Sequence, residues 1–415
     1  MEYNIADPSL ANSGYRKIEW AYNYMPVLGS LKNIHGREMP FAGERIAACL
    51  HLEAKTACLL LIFKELGAHV AAAGSNPLST QDDVCAALVD RDIHVFSKRG
   101  MTSAEYSENL DHLVKFDPTI VIDDGADLIA LIHEKYPECI SRIKGACEET
   151  TSGIKRLKAM SSDGVLGFPV VAVNDAKSKY LFDNRYGTGQ SVMDGIMRST
   201  NVLMAGKNLV VIGYGWCGRG VAMRAAAMGS HVMVVEVDPH RAFEALMDGY
   251  EVMSMSEAAG KGDIFLTLTG NTNVIRKEHF EKMRDGVLLG NAGHFDVEIN
   301  KTHLRDLASE ALSVRDNIEC YIMEDGRKLN LLSDGRLVNL AAGDGHPIEI
   351  MDLSFGIQLL SALYIAKNHL SLGQDVLTLP DDLDRQIMKI KLSSMGIELD
   401  TMTPEQEEYM KAWKE

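Results

Sequence analysis

Short apolar runs recur along this chain, each ending in small or polar residues and each followed by a stretch with helical spacing. Runs of this kind read as strands buried on both faces, and the stretches between them as covering helices. Ahead of the first run, residues 15–35 carry apolar side chains at helical spacing around Ile18, Ala21, Tyr22, Met25 and Leu28, and Pro40 breaks the chain. Strands are then expected at 45–51, 69–73, 93–96 and 119–122, with helices at 54–66, 84–89, 104–113 and 128–135. A second series of strands is expected at 209–212, 231–235, 251–253, 264–268 and 287–289. From Ile348 a long helical run returns toward the first series, and residues 381–415 hold further amphipathic segments. Strand–helix alternation of this length indicates two doubly wound α/β domains and a small helical C-terminal segment. The expected division is 1–188, 189–347, 348–380 and 381–415.

One run carries its own chemistry. Leu209–Ile212 opens into Gly213, Gly215 and Gly218, a G-x-G-x-x-G turn that passes through Trp216 and Cys217 into an Ala- and Met-rich helix. The next strand ends at Glu236, 23 residues beyond Gly213. The first glycine permits a tight turn and the second lets backbone approach a pyrophosphate. The third lets the helix pack close to the strand, with its N-terminus toward the phosphates. An acidic side chain at the end of the second strand accepts from ribose hydroxyls and repels a 2′-phosphate, so the motif predicts a Rossmann-like domain that binds NAD rather than NADP.

Composition narrows the picture further. The formal charge of −16, with 24% charged and 46% hydrophobic residues, is that of an acidic globular chain, which argues against nucleic acid or an anionic membrane as partner. The apolar stretches read as too short for a membrane span. Seven scattered cysteines without C-x-x-C pairs point to a reducing, cytoplasmic setting and to no metal site. In doubly wound sheets ligands lie beyond the carboxyl ends of the strands. The polar residues gather there: His51 and Glu53, then Asn76, Ser79, Thr80 and Gln81, then Asp123 and Asp124, then 148–153 (EETTSG) and 173–189 (VNDAKSKYLFDNRYGTG). The first domain therefore reads as a substrate cup.

The segments NPLSTQD, DDGADL, CEETTSG, VNDAKSK, FDNRYG, GYGWCGRG, NAGHFDVEI and GRLVNLAAGDGHP together resemble the S-adenosylhomocysteine hydrolase family over essentially the whole length, in its short archaeal and thermophilic branch. The resemblance implies NAD regenerated within each turnover, a homotetramer, and closure about hinges near 185–190 and 347–352. It implies reversible hydrolysis of a 5′-thioether nucleoside. The C4′–H next to that thioether is not acidic until the 3′-OH is oxidised to a ketone, after which the thiolate is eliminated and water adds.

By the same resemblance Lys179 sits at the 3′-oxygen, with Asp183 and Asn184 orienting it and binding the ribose hydroxyls. A lysine losing its proton there is favoured by burial and nearby cations. Asp124 is the base near C4′, and His51 serves the 5′ leaving group. His294 and His346 flank the thioether and its homocysteine arm. Ser79, Thr56, Glu149 and Thr150 are substrate contacts. Asn291 and Asn339 lie around the nicotinamide, and Thr151, Ser152 and Asn271 also touch the cofactor. Taken alone, Lys179 is also a surface partner of Asp183 at i,i+4 and His51 a packed core histidine. Asp124 is also a helix cap, although Asp127 is the better cap candidate.

Two departures from the common pattern stand out. Where many members carry Thr and Glu for base recognition, Glu53 and Lys55 stand here. This pair satisfies adenine and hypoxanthine equally, so adenosyl and inosyl substrates both remain open, and Lys55 also has an outward-pointing alternative. The longer members' Lys/Tyr tail, which reaches a neighbour's NAD, has no counterpart before Glu415. Weaker cofactor retention is the expectation. Thr188 occupies the position of the family's cysteine after the FDNxYG motif.

Overall fold

The computed structural model describes residues 2–413. The first sheet contains β1 (Arg45–Leu50), β2 (His69–Gly74), β3 (His94–Phe96), β4 (Ile120–Asp123), β5 (Gly145–Glu148) and β6 (Val170–Ala172). These are parallel, in the order β3-β2-β1-β4-β5-β6. The second contains β7 (Asn208–Ile212), β8 (His231–Val235), β9 (Glu251–Val252), β10 (Ile264–Thr267), β11 (Val287–Asn291), β12 (Ala308–Arg315), β13 (Ile318–Met323) and β14 (Lys328–Leu332). Its parallel part runs β9-β8-β7-β10-β11-β14, and β13 and β12 extend it antiparallel. A last short strand, β15 (Val376–Leu377), joins the first sheet beside β6. Both parallel arrays thus have the doubly wound strand order, each with one switch point: between β1 and β4, and between β7 and β10.

The strands are apolar because both faces are covered. In β1, Ile46, Ala48 and Leu50 enter one hydrophobic layer, while Ala47 and Cys49 enter the opposite one. In β7, Leu209 and Val211 divide from Val210 and Ile212 in the same way. The helix Ile348–Asn368 returns to the first domain and is buried along most of its length. By length and composition it is apolar enough to cross a bilayer, contrary to the reading that every apolar stretch is too short. Its faces are instead covered from within: Leu353, Phe355, Ile357 and Leu359 lie in the layer that also holds Val27, Leu28 and Leu31. Asp352 on this helix accepts the backbone N–H groups of Val27 and Leu28, both at 3.0 Å, at the start of the helix Pro26–His35.

Other differences from the pattern are local. The period over 15–35 belongs to two helices, Ala11–Tyr22 and Pro26–His35, because Pro26 fits a first helical turn but not an interior one. Strands β5, β6 and β15 are only two to four residues long. The β12–β14 meander is not foreseen, since β12 is exposed along nearly its whole length and shows no alternation.

Candidate active site

His51 follows β1 directly and Asp124 follows β4, so both stand at the first sheet's switch point. His51 Nε2 lies 3.2 Å from Asp124 Oδ2. Its Nδ1 lies 2.7 Å from Ser79 Oγ and 3.3 Å from Ser75 Oγ. Burial pulls this imidazole down to about 4, against the attraction of Asp124. It is therefore neutral at pH 7, and the tautomer that suits both sides donates Nε2–H to Asp124 while Nδ1 accepts from Ser79. His294, on the turn after β11 of the second sheet, places Nδ1 3.5 Å from Asp124 Oδ1. Its approach depends on Gly125, whose φ is +105° and where a Cβ would lie 2.4 Å from His294 Nε2.

Lys179 precedes a π-helical turn, Tyr180–Gly187, of the kind that often marks functional sites. Its Nζ lies 3.0 Å from Asp183 Oδ1 and 3.5 Å from Glu149 Oε1, and donates to Asn184 Oδ1 at 3.1 Å. His346 Nδ1 reaches the same Asp183 oxygen at 3.0 Å, and its Nε2 lies 3.3 Å from Thr188 Oγ1. Lys179, Asp183 and Glu149 are all buried. The expectation of nearby cations is corrected here, because the neighbours of Lys179 are carboxylates. Burial lowers its pKa, but Asp183 and Glu149 outweigh burial, and the net shift is upward. Asp183 goes the other way: burial raises it, while Lys179 and His346 hold it well below the usual carboxylate range. Burial pushes Glu149 up to about 7, opposed by Lys179 and reinforced by Asp183.

Lys55 points inward. Its Nζ lies 2.8 Å from Glu53 Oε2 and donates to the Asp344 carbonyl, in the second domain's last loop, at 2.7 Å. Glu53 caps the helix Ala54–Glu65, accepting from the N–H groups of Lys55 and Thr56 and from Thr56 Oγ1. Its acceptor positions are thereby taken, and Lys55 is the free donor of the pair.

In the second domain, a Cβ on Gly218 would lie 1.9 Å from the Gly213 carbonyl, whereas one on Gly215 would meet nothing closer than 3.8 Å. The turn is closed toward the helix and open toward a ligand, as a pyrophosphate requires. Glu236 accepts from the N–H groups of Tyr214, Val237 and Asp238, and this fixes its carboxylate at the end of β8. Trp216 packs on Tyr180, with ring centroids 5.2 Å apart, and Cys217 lies 3.6 Å from Thr188 Oγ1. Asn339 donates to Ser191 Oγ, and its buried Oδ1 has no partner, which suits a carboxamide donor. Asn291 departs from expectation. Its amide donates to the carbonyls of Gly293, Phe295 and Gly335, and its Oδ1 accepts from Thr267 and Gly293, so it shapes the His294 turn and has nothing left for a ligand. Asn271 and Thr151 are exposed and Ser152 is half-buried. Thr150 lines the same cavity as Lys179.

Three side chains within the quoted motifs, given no role by the sequence, build this site from below. Glu148 accepts from the N–H groups of Gly125, Ala126 and Thr150, and Asp123 from those of Asp124 and Ile129. Asp123, not Asp127, therefore serves the start of the helix Asp127–Lys135, and Asp127 receives Tyr106 and Arg156 instead. Glu298 accepts from Thr269 and Gly270 and holds the turn after β10. A single cavity of about 140 Å³ joins the halves: His51, Asp124, Glu149, Lys179, Asp183 and Asn184 meet Cys217, His294, Asn339 and His346 across it.

The sequence compares directly with known proteins. Residues 2–136 match the family model for S-adenosyl-L-homocysteine hydrolase, and residues 184–345 match the model for the NAD-binding domain of that enzyme. The chain is 55% identical over 415 residues to the S-inosyl-L-homocysteine hydrolase of Methanopyrus kandleri, covering 100% of this chain and 98% of that one. It is 56% identical over 413 residues to the adenosylhomocysteinase of Thermococcus kodakarensis, with coverage of 100% and 98%. The chain belongs to the S-adenosyl-L-homocysteine hydrolase family. The family assignment makes it a hydrolase and makes NAD its cofactor. A third relative, the S-inosyl-L-homocysteine hydrolase of Methanocaldococcus jannaschii, is 54% identical over 413 residues, covering 100% and 99%.

Proposed function

We propose that this chain hydrolyses S-adenosyl-L-homocysteine reversibly to adenosine and L-homocysteine, by 3′-oxidation, elimination, water addition and re-reduction. The observation that carries the reading is the convergence of the Lys179–Asp183–Glu149 and His51–Asp124–His294 clusters on one cavity beyond the carboxyl ends of the parallel strands. The residues around Gly213, Gly215 and Glu236 would hold NAD, which when bound supplies a hydride acceptor for the 3′-carbon and returns the hydride at the end.

The remaining work falls to side chains. Lys179, held as an ammonium by Asp183, donates to the 3′-oxygen, and Glu149, pushed up to about 7, takes up the proton released there near neutral pH. Once a carbonyl adjoins C4′, its proton is acidic enough for Asp124. The proton shared by His51 and Asp124 passes to the departing sulfur and is recovered from the water that adds at C5′. We read the domain division as 1–188, 189–347, 348–380 and 381–415, with hinges near 185–190 and 347–352. We read the assembly as a cytoplasmic homotetramer.

A second reading changes only the base. Lys55 offers a donor while Glu53 has no free acceptor position, an arrangement that serves the O6 of hypoxanthine as well as the N1 of adenine. Homocysteine release from NAD-loaded protein, given the adenosyl and inosyl thioethers side by side, tests both. Preference for the adenosyl substrate supports the main reading, and preference for the inosyl one keeps the mechanism and changes the base. Release from neither, with NAD bound, removes the reaction.

A further inference from the structure

We propose that Ser354 and Gln358 are positioning residues for the Lys179 cluster, holding from a helix outside both parallel sheets the two carboxylates that flank the lysine. The inference rests on the reaction proposed above. Both side chains are 0% exposed and lie one turn apart on the helix Ile348–Asn368, hence on one face. Ser354 Oγ donates to Asp183 Oδ2 at 2.6 Å. Gln358 Nε2 donates to Glu149 Oε2. Each carboxylate therefore divides its oxygens. Asp183 Oδ1 and Glu149 Oε1 face Lys179, at 3.0 and 3.5 Å, and the other oxygen of each is anchored to the helix.

Packing alone does not account for a glutamine there. Besides Gln358 the helix buries Asp352, Ser354 and Ser361 among its apolar side chains, and a buried polar group is costly unless bonded. Gln358 Oε1 has no partner, so the residue stabilises the fold less than an apolar side chain of its size would. What it does supply is a donor that cannot lose its proton, and such a donor favours the ionised form of Glu149. The charged groups acting on Glu149 are Lys179, Asp183 and Asp124, and Gln358 is the neutral donor among them.

The test compares the parent with Gln358→Met, Gln358→Glu and Ser354→Ala as NAD-loaded full chains, matched for thermal midpoint and bound NAD. Homocysteine release is followed from about pH 5.5 to 9. Gln358→Met is expected to lose about ten- to a hundredfold in kcat/KM, with the acid limb of its profile displaced to higher pH. Gln358→Glu donates only while protonated, so its rate is expected to decline with rising pH where the parent's does not. Ser354→Ala, the smallest change, is expected to lower kcat more than it raises KM and serves if the Gln358 variants misfold. Parent-shaped pH profiles in both Gln358 variants, at full or uniformly reduced rate, overturn the proposal. An unchanged kcat in Ser354→Ala does so as well. If the parent itself releases no homocysteine, the reaction fails instead. The carboxyl infrared titration of Glu149 in parent and Gln358→Met then decides the positioning claim, an unmoved midpoint overturning it.

Discussion

Lys179 stands between two carboxylates, and the same pair that keeps it charged also fixes where its ammonium points. A proton bound this firmly is available for donation to an oxygen. The burden of accepting protons moves to Glu149, whose burial brings it to about 7. Lys179→Met keeps much of the volume and removes the charge. Its kcat is expected to fall about 10²–10⁴-fold with NAD content unchanged, measured by homocysteine release and by cofactor extraction. Loss of NAD instead would assign the lysine to cofactor binding. The family resemblance found Lys179, Asp183 and Asn184 because they share one motif-bearing segment. It did not show the carboxylate environment, because Glu149 comes from a different strand and the sign of a shift depends on which charges the fold brings near. Lys55 is similar: its inward direction follows from the Asp344 carbonyl, 289 positions away.

At the scale of elements, the ends of β4 and β5 form a nest of backbone N–H groups around Asp123 and Glu148, with Asp124 in the turn between them. Burial pushes Asp123 up to about 7 and Glu148 upward as well. For an acid raised from 3.8, the folded chain binds more protons than the unfolded one through the interval between the two values, so stability falls as pH rises from about 4 to about 7. Asp123→Asn removes that dependence and replaces one acceptor oxygen by a donor. Melting temperatures read across this interval are expected to show a lower starting value at pH 4 and a shallower decline than the parent. An equally steep decline would place the titration elsewhere. The nest was hidden in the sequence because β5 is four residues long and ends in charges, which conceals a buried strand from any hydrophobic pattern. The longer strands, β1, β2, β7 and β8, were legible because each is five or six residues long and apolar after its first residue, a pattern with few other solutions.

The whole molecule sets two switch points opposite each other and lets side chains cross between them: His294 onto Asp124, His346 onto Asp183, Lys55 onto the Asp344 carbonyl and Arg99 onto that of Ala341. The two-domain plan was legible because the glycine turn and the strand series repeat an α/β logic. The crossings were not, since each joins residues far apart in sequence and depends on small clearances such as the one at Gly125. The joint site sets acid–base groups of both domains around one cavity, with Cys217 of the glycine turn and Asn339 in its wall, and this is what allows an oxidation to be opened and closed within one turnover. The direct measurement is to supply the 5′-thioether nucleoside carrying deuterium at C3′ to NAD-loaded protein and analyse the released nucleoside. The account predicts homocysteine release with transient reduction of the bound cofactor and the deuterium back at C3′. Homocysteine release with the label still in place but no transient reduction of the cofactor, or no release at all from a fully loaded protein, would contradict it.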